Sequence, residues 1–125
     1  MKALFDTNIL VDYLQGIESA RVELDRHDQQ LISAISWMEV MIGASAEEVA
    51  RIRAFLAGFA IVPVNEAVME TAVAIRRDTR LKLPDAIIWA SAKVEYALLV
   101  SRDERAFPSD VPEIRVPYRL HDGDA

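Results

Sequence analysis

The chain has 125 residues, no cysteine and a formal net charge of −6, from 20 acidic and 14 basic residues. This length suits one domain with a single core, and the lack of cysteine excludes disulfides, thiolate metal sites and a cysteine nucleophile. The acidic balance argues against a general nucleic-acid coat, because phosphate binding depends on Lys and Arg. No stretch approaches the roughly 18 to 20 apolar residues of a membrane span, and Asp6 interrupts any signal-peptide pattern, so we expect a cytoplasmic protein that does not bind membranes.

A short apolar run at the start of the chain, Ala3 to Phe5, stops at Asp6 and is followed by an apolar pattern with helical spacing. Such a run is typical of a strand buried on both faces of a parallel sheet. Asp6 then lies just past the strand's carboxyl end, where open α/β sheets bind ligands. A structural alternative stays open, because an acid is also favoured at the start of a helix, with Thr7 or Asn8 as the N-cap.

The next segment is polar between residues 18 and 30 and predicts an exposed helix, with His27 on the surface. Residues 31–35 are apolar and predict the second strand. Ser36 and Glu39 then have the spacing of a capping box, in which the serine caps a helix and the glutamate bonds back to the cap residue. Glu39 therefore has a structural explanation, although it also brings a second carboxylate to the end of a strand.

The middle of the chain predicts a helix over residues 46–57, a third strand over 61–64 and a helix over 66–79 that Asn65 caps. Pro63 places the third strand at an edge, because proline cannot donate to a strand ladder. Four basic residues lie in the last turn of this predicted helix or just after it: Arg76, Arg77, Arg80 and Lys82. They suit a solvated helix end near the negative pole of its dipole, and they could also hold phosphates.

The last third of the chain contains an apolar helix with Asp85 in its first turn, after Pro84. A strand over residues 98–100 then stops at Ser101 and Asp103, much as the first strand stops at Asp6, and a last strand spans 114–116. Residues 121–125, which include His121, are expected to be a frayed tail after a single domain of residues 1–120. The alternation of strands and helices predicts an α/β sandwich with a mainly parallel sheet.

Four acids could meet at the carboxyl edge of this sheet: Asp6, Glu39, Asp85 and Asp103. Their oxygen ligands suit Mg²⁺ or Mn²⁺ rather than Zn²⁺. Without a cation each carboxylate would raise the pKa of its neighbours, whereas one or two metal ions could orient a water molecule and neutralise charge on a phosphodiester. The position of Asp85 is the least secure, because its helix follows another helix and not a strand.

The segments FDTNILVDYL, SWMEV, LPDAIIWASA and LLVSRDERAF, in this order and at these separations, resemble the PIN-domain ribonucleases, specifically the small VapC-type toxins. The resemblance covers essentially the whole chain. It matches Asp6, Glu39, Asp85 and Asp103 to the catalytic acids that bind metal in the family, and Asn8 to the polar residue beside the first of them. Ser101 stands where the family more often has threonine, a departure that keeps the hydroxyl group.

The resemblance implies a three-layer PIN-like sandwich whose central, mainly parallel sheet has the order 3-2-1-4-5 and is flanked by helices. It also implies Mg²⁺- or Mn²⁺-dependent cleavage of structured RNA such as tRNA or rRNA, a homodimer, and a cognate VapB-type antitoxin through which the complex binds DNA. Asn8 and Ser101 would then orient ligands and water. The phosphates of the RNA would be held by the basic cluster: Arg76, Arg77, Arg80 and Lys82.

Two alternatives from other classes stay open at this stage. A PIN-like module could keep its acids and act only through partner contacts, which an RNA-cleavage assay with and without a chelator would reveal. A phosphoryl-accepting α/β domain could instead be modified at Asp6, but no lysine follows the last strand to contact a phosphoryl group.

Overall fold

The computed structural model describes residues 2–120, so the predicted tail 121–125, with His121, lies outside the described residues. The strands are β1 (Lys2–Phe5), β2 (Gln29–Ser33), β3 (Ala60–Val62), β4 (Leu98–Val100) and β5 (Ile114–Arg115). The helices are α1 (Thr7–Leu14), α2 (Glu18–Asp25), α3 (Ala34–Ile42), α4 (Val49–Leu56), α5 (Glu66–Asp78) and α6 (Leu83–Val94). None of these helices combines the length and the apolar character that crossing a lipid bilayer demands.

The five strands form one sheet in the order β3-β2-β1-β4-β5, and every neighbouring pair is parallel. This confirms the predicted α/β class and the sheet order that the resemblance implied. The short apolar run of β1 lies at the centre of the sheet, and β3, which Pro63 follows, lies at an edge as expected.

The core has two parts, one on each face of the sheet, because successive strand residues point to opposite faces. Leu4, Leu31 and Leu99 pack on one face against α5 and α6. On the other face Phe5, Ile32 and Val100 pack against residues of α1, α2, α3 and α4. The molecule therefore has the predicted three layers, with the sheet between two groups of helices.

The second strand ends two residues earlier than predicted, and the prediction of a capping box at Ser36 and Glu39 was wrong. Ser33 is the N-cap of α3, because its hydroxyl oxygen accepts a hydrogen bond from the Ile35 backbone N–H at 3.2 Å. Ala34 and Ile35, apolar residues that a strand would also favour, form the first turn of the helix. Glu39 consequently lies in the second turn of α3, where its carboxylate does not serve as a cap.

The expectation that His27 lies on the surface was also wrong. His27 is only 6 % exposed, and its Nε2 lies 2.9 Å from Oε2 of the buried Glu23. Its ring meets the edge of the Phe5 ring at a centroid distance of 5.7 Å. The polar stretch that contains α2 therefore buries part of its charge against the sheet instead of exposing it to solvent.

Candidate active site

The register of the central strands places Asp6 beside Ser101. Phe5 in β1 pairs with Val100 in β4, so the residues that follow these two leave the sheet at the same edge. The Asp6 backbone N–H donates to the Val100 carbonyl oxygen at 2.9 Å, which extends the pairing by one residue. Asp6 is therefore fixed at the carboxyl end of the central strand, as the sequence predicted.

Asp6 itself is the N-cap of α1, so the prediction of Thr7 or Asn8 in this role was wrong. One carboxylate oxygen of Asp6, Oδ1, accepts a hydrogen bond from the Thr7 backbone N–H at 2.7 Å. The other oxygen, Oδ2, accepts from the Ser101 hydroxyl at 2.7 Å and from the Asn8 side-chain amide at 3.3 Å. Capping thus uses one oxygen of Asp6, and Asn8 and Ser101 both contact the other.

Thr7 links the first two acids, a contact that the sequence analysis missed. Its hydroxyl lies 2.6 Å from Glu39 Oε1 and 2.9 Å from the hydroxyl of the buried Ser36. Ser36 and Glu39 are three residues apart on α3 and so share one face of the helix. The serine-to-glutamate spacing that predicted a cap therefore produces a pair of side chains facing α1.

The carboxylates influence one another through space. Burial raises the pKa of Asp6 to about 6, although the hydrogen bonds from Ser101 and Thr7 act to lower it, and the charges of Asp85 and Glu39 raise it further. Burial also raises the pKa of Asp85, with added contributions from the charges of Asp103 and Glu39, while Lys82 acts in the opposite direction. The start of α6 therefore does bring Asp85 to the carboxyl edge of the sheet.

Asp103 is the most loosely connected member of the set. It is exposed, and its Oδ1 accepts hydrogen bonds from the backbone N–H groups of Arg105 at 3.2 Å and Ala106 at 3.3 Å. These bonds stabilise the turn after β4, so Asp103 has a structural role of its own. Its backbone N–H also donates to the Ser101 hydroxyl at 3.0 Å, which ties the turn to the hydrogen bonds around Asp6.

A groove of about 580 Å³ opens beside these acids between α6 and the turn after β4. Its charged lining residues are Arg80, Lys82, Asp85, Asp103 and Arg105. The predicted basic cluster is thereby divided, because Arg80 and Lys82 line the groove, whereas Arg76 and Arg77 lie on the last turn of α5 and do not. Arg105 was missed, although it follows Asp103 by only two residues.

The donor set at this edge fits a hard divalent cation, since it consists of carboxylates with neighbouring hydroxyl and amide groups and contains no histidine. Within residues 2–120, no group of three or more His, Asp or Glu side chains is already arranged to hold a metal ion. For the carboxylates to surround an ion, some of their side chains must rotate. Glu39 and Asp103 are exposed, so their side chains have room to do so. The raised pKa of Asp6 and of Asp85 is the effect that a bound cation would relieve.

Comparison with known proteins agrees with this picture. The family model of the PIN domain matches residues 3–111. A toxin-antitoxin complex from Klebsiella pneumoniae contains a chain that is 40% identical, with a TM-score of 0.90 over 95% of this chain and 100% of that one. A search of curated proteins finds no match.

More distant structures share the fold. The DNA-bound VapBC complex from Salmonella typhimurium matches with a TM-score of 0.78 at 20% identity, over 92% of this chain and 96% of that one. FitAcB from Neisseria gonorrhoeae matches with a TM-score of 0.74 at 22% identity, over 94% of this chain and 99% of that one.

Proposed function

The chain belongs to the PIN-domain family, and from this premise we propose that it is the toxin of a type II toxin-antitoxin system, a metal-dependent endoribonuclease that cleaves structured RNA such as tRNA or rRNA. The 40% identity to a chain of the Klebsiella pneumoniae toxin-antitoxin complex supports the toxin role. The catalytic role is supported by the chemistry of the candidate active site.

The observation that carries the proposal is the meeting of acids from three elements: Thr7 contacts both Asp6 and Glu39, Asp85 and Asp103 line the adjacent groove, and only neutral groups bond to Asp6. Burial is the main reason why the pKa of Asp6 is raised to about 6, and the negative charges of Asp85 and Glu39 raise it further. Folding has gathered like charges around a buried carboxylate, which is unfavourable unless a cation is bound. If these acids served only to cap helices, bringing acids of α3 and α6 close to Asp6 would not stabilise the fold.

Asp6, Glu39, Asp85 and Asp103 would hold Mg²⁺ or Mn²⁺, directly or through water. Thr7 keeps the Glu39 carboxylate turned towards α1, and Ser101 and Asn8 fix one oxygen of Asp6, which leaves these ligands oriented before an ion arrives. The bound cation would supply positive charge to the phosphodiester and acidify the attacking water.

Arg80, Lys82 and Arg105 would bind phosphates of the RNA on either side of the acids, because they line the same groove as Asp85 and Asp103. Their charge is local in a chain whose net charge is −6. This agrees with recognition of one RNA site and not with general coating of nucleic acid.

We further propose a VapB-type antitoxin as partner, with contact to DNA only through that partner, and a homodimer of this chain. The comparisons support the antitoxin, since the similar Klebsiella pneumoniae and Salmonella typhimurium proteins are parts of toxin-antitoxin complexes. Apolar side chains that could serve such interfaces are exposed on α3 and α5: Met38, Ile42, Met69 and Val73.

The test is cleavage of tRNA and rRNA by the purified protein with Mg²⁺ or Mn²⁺, with EDTA, and after Asp85→Asn. We expect chelation to stop cleavage and the substitution to slow it by about 100-fold or more, because a metal site contributes several kcal/mol to transition-state stabilisation. The matched control is Asp25→Asn, which removes an exposed carboxylate of α2.

Cleavage that survives EDTA would remove the metal from the mechanism, and full activity of Asp85→Asn would remove that residue. If the parent cleaves no RNA with either ion yet binds an antitoxin tightly, the chain is the partner-binding module that the sequence left open.

A further inference from the structure

Asp12 is a buried carboxylate of α1 that the proposed mechanism does not use. Its side chain is 2 % exposed, and it accepts hydrogen bonds from Arg102 Nε at 2.6 Å, from Arg102 Nη2 at 3.0 Å and from the Tyr118 hydroxyl at 2.7 Å. Three separate parts of the chain thus meet at one carboxylate. They are the first helix, the segment that follows β4 and the segment that follows β5.

Arg102 lies between two residues of the candidate active site, Ser101 and Asp103. Its backbone N–H donates to the Asn8 side-chain oxygen at 3.3 Å, and Asn8 in turn donates to Asp6 and, also at 3.3 Å, to the Ser101 hydroxyl. The backbone of residue 102 is therefore bonded to a residue that contacts Asp6, while its side chain is anchored on α1.

The ion pair between Arg102 and Asp12 has a fixed geometry for two reasons. A guanidinium group that binds a carboxylate through two N–H groups has a defined orientation, which a single contact would not give. The carboxylate of Asp12 is itself fixed by burial in the second turn of the helix that Asp6 caps. Asp12 and Asp6 thus belong to one short helix, so the position of Arg102 is set relative to Asp6.

We propose that Arg102 is a positioning residue for the candidate active site. Through its ion pair with Asp12 it holds residues 101–103 at the distance from α1 at which Ser101 and Asn8 bond to Asp6 and Asp103 faces Asp85. The catalytic consequence rests on the proposed function, whereas the holding of the segment does not.

The molecule contains a matched control for this pair. Glu23 of α2 accepts hydrogen bonds from Arg115 Nε at 2.6 Å and from Arg115 Nη2 at 3.0 Å. The exposed fractions are nearly the same in the two pairs, 3 % and 33 % for Glu23 and Arg115 against 2 % and 31 % for Asp12 and Arg102. The side chains of Glu23 and Arg115 bond to no residue of the 101–103 segment. The Arg115 backbone carbonyl does accept a hydrogen bond from the Ser101 N–H at 3.0 Å, but side-chain substitutions keep that bond.

The experiment compares Asp12→Asn/Arg102→Met with Glu23→Gln/Arg115→Met. Both double variants replace an acid by its amide and an arginine by methionine, so neither leaves a buried charge without its partner. All measurements are made at a temperature well below the midpoint of thermal unfolding of each variant. Three quantities are measured: amide hydrogen exchange at residues 101–103 without metal, the dissociation constant of Mn²⁺, and kcat and KM for RNA cleavage. Arg102→Lys, which keeps the charge and loses the two-pronged contact, is measured in parallel.

For Asp12→Asn/Arg102→Met we expect faster exchange at residues 102 and 103, Mn²⁺ binding weakened by about 10- to 100-fold, and a fall in kcat with little change in KM. The exchange rates, Mn²⁺ affinity and kcat of Arg102→Lys should lie between those of this variant and those of the parent. Glu23→Gln/Arg115→Met should match the parent in all three quantities even if its unfolding midpoint falls as far.

The proposal is overturned if exchange and Mn²⁺ affinity stay at parent values in the Asp12→Asn/Arg102→Met variant, or if the control pair loses as much. Should that variant fail to fold, the same comparison is made with Arg102→Lys alone, where parent-like exchange at residues 102 and 103 would overturn it. A parent protein that binds no Mn²⁺ and cleaves no RNA would contradict the proposed function, and hydrogen exchange would still decide whether Arg102 holds the segment.

Discussion

Two kinds of buried acidic side chain occur in residues 2–120, and they differ in what neutralises them. Asp12 and Glu23 each bind an arginine through two hydrogen bonds. Measured over the whole residue, Asp6 is 5 % exposed, against 1 % for Asp12 and 3 % for Glu23, so it is buried to a similar degree. All its hydrogen bonds nevertheless come from neutral groups.

The pKa values of Glu23 and Asp6 shift in opposite directions. Burial by itself acts to raise the pKa of Glu23, but the hydrogen bonds from Arg115 and His27 and the charge of Arg115 bring it below its ordinary value. The pKa of Asp6 stays raised chiefly because the group is buried, and the negative charges of Asp85 and Glu39 add to this effect. Burial of an acid therefore does not distinguish a structural from a functional role, whereas the absence of a compensating cation does.

The largest expected effect concerns the paired acids. Arg115→Met leaves the buried Glu23 with His27 and, at 3.8 Å, the exposed guanidinium of Arg26, so the free energy of unfolding should fall by about 3 kcal/mol. Urea denaturation measures this, and adding Glu23→Gln should recover part of the loss by removing the unpaired charge. A loss under about 1 kcal/mol would place this pair with surface ion pairs and weaken the comparison.

Asp6→Asn should raise the free energy of unfolding, whereas Arg115→Met lowers it. Because the folded pKa of about 6 lies above the unfolded value near 3.8, the folded state binds more protons between these values, and the parent loses stability as pH rises from about 4 to about 6. The variant lacks this loss, so in EDTA at pH 7.5 it should gain up to about 3 kcal/mol, at 1.36 kcal/mol for each pKa unit.

Urea denaturation of the parent and Asp6→Asn at pH 4.5 and 7.5 checks this, since the effects of groups that do not interact with Asp6 cancel in the difference. An equal pH dependence in both proteins would show that Asp6 is not an uncompensated acid. Adding Mn²⁺ at pH 7.5 should stabilise the parent more than the variant, because an ion that binds only the folded state stabilises it by mass action.

A smaller effect is expected from Thr7→Val, which removes the hydroxyl 2.6 Å from Glu39 Oε1 at almost constant shape. Without this contact Glu39 is no longer oriented, so Mn²⁺ affinity should fall by roughly 10-fold. The free energy of unfolding should fall by about 1 to 2 kcal/mol, because the buried Ser36 hydroxyl also loses its hydrogen-bond partner. Thr7→Ser keeps the hydroxyl and should retain the affinity; equal titrations of the Val and Ser variants would exclude Thr7 from the site.

The smallest effect is expected from Lys82→Gln, which changes a residue that lines the groove beside Asp85 and Asp103. If Lys82 binds one phosphate, its removal should lower the slope of log affinity against log salt by about 0.7, the contribution of one contact to single-stranded nucleic acid. Filter binding of RNA to the Asp85→Asn background measures this without cleavage. Arg51→Gln on α4 is the control, and an equal change in its slope would indicate non-specific attraction.

Local patterns predicted much of the fold. Asn65 was expected to cap α5, and its side-chain oxygen does accept the Val68 backbone N–H at 3.0 Å. Pro63 correctly placed β3 at an edge. The second strand was misplaced because Ala34 and Ile35 suit both a strand and the first turn of a helix, and periodicity cannot distinguish these over so short a run.

The amino-acid sequence by itself determined which residues follow the central strands. Asp6 and Ser101 come directly after apolar runs, Asp103 follows two residues after Ser101, and parallel strands bring such residues to one edge. These features depend on neighbours within a few residues, so the chain encodes them locally.

Only the tertiary structure decided which acids have a cation beside them. Arg102 lies 90 residues from Asp12, and Arg115 lies 92 residues from Glu23. Contact between Thr7 and Glu39, and the arrival of Asp85 beside Asp6, likewise depend on how helices cross the sheet. The residues around Asp6, Asp12 and Glu23 do not show which of the three has an arginine partner, because an ion pair of this kind forms only after the crossovers have brought distant segments together.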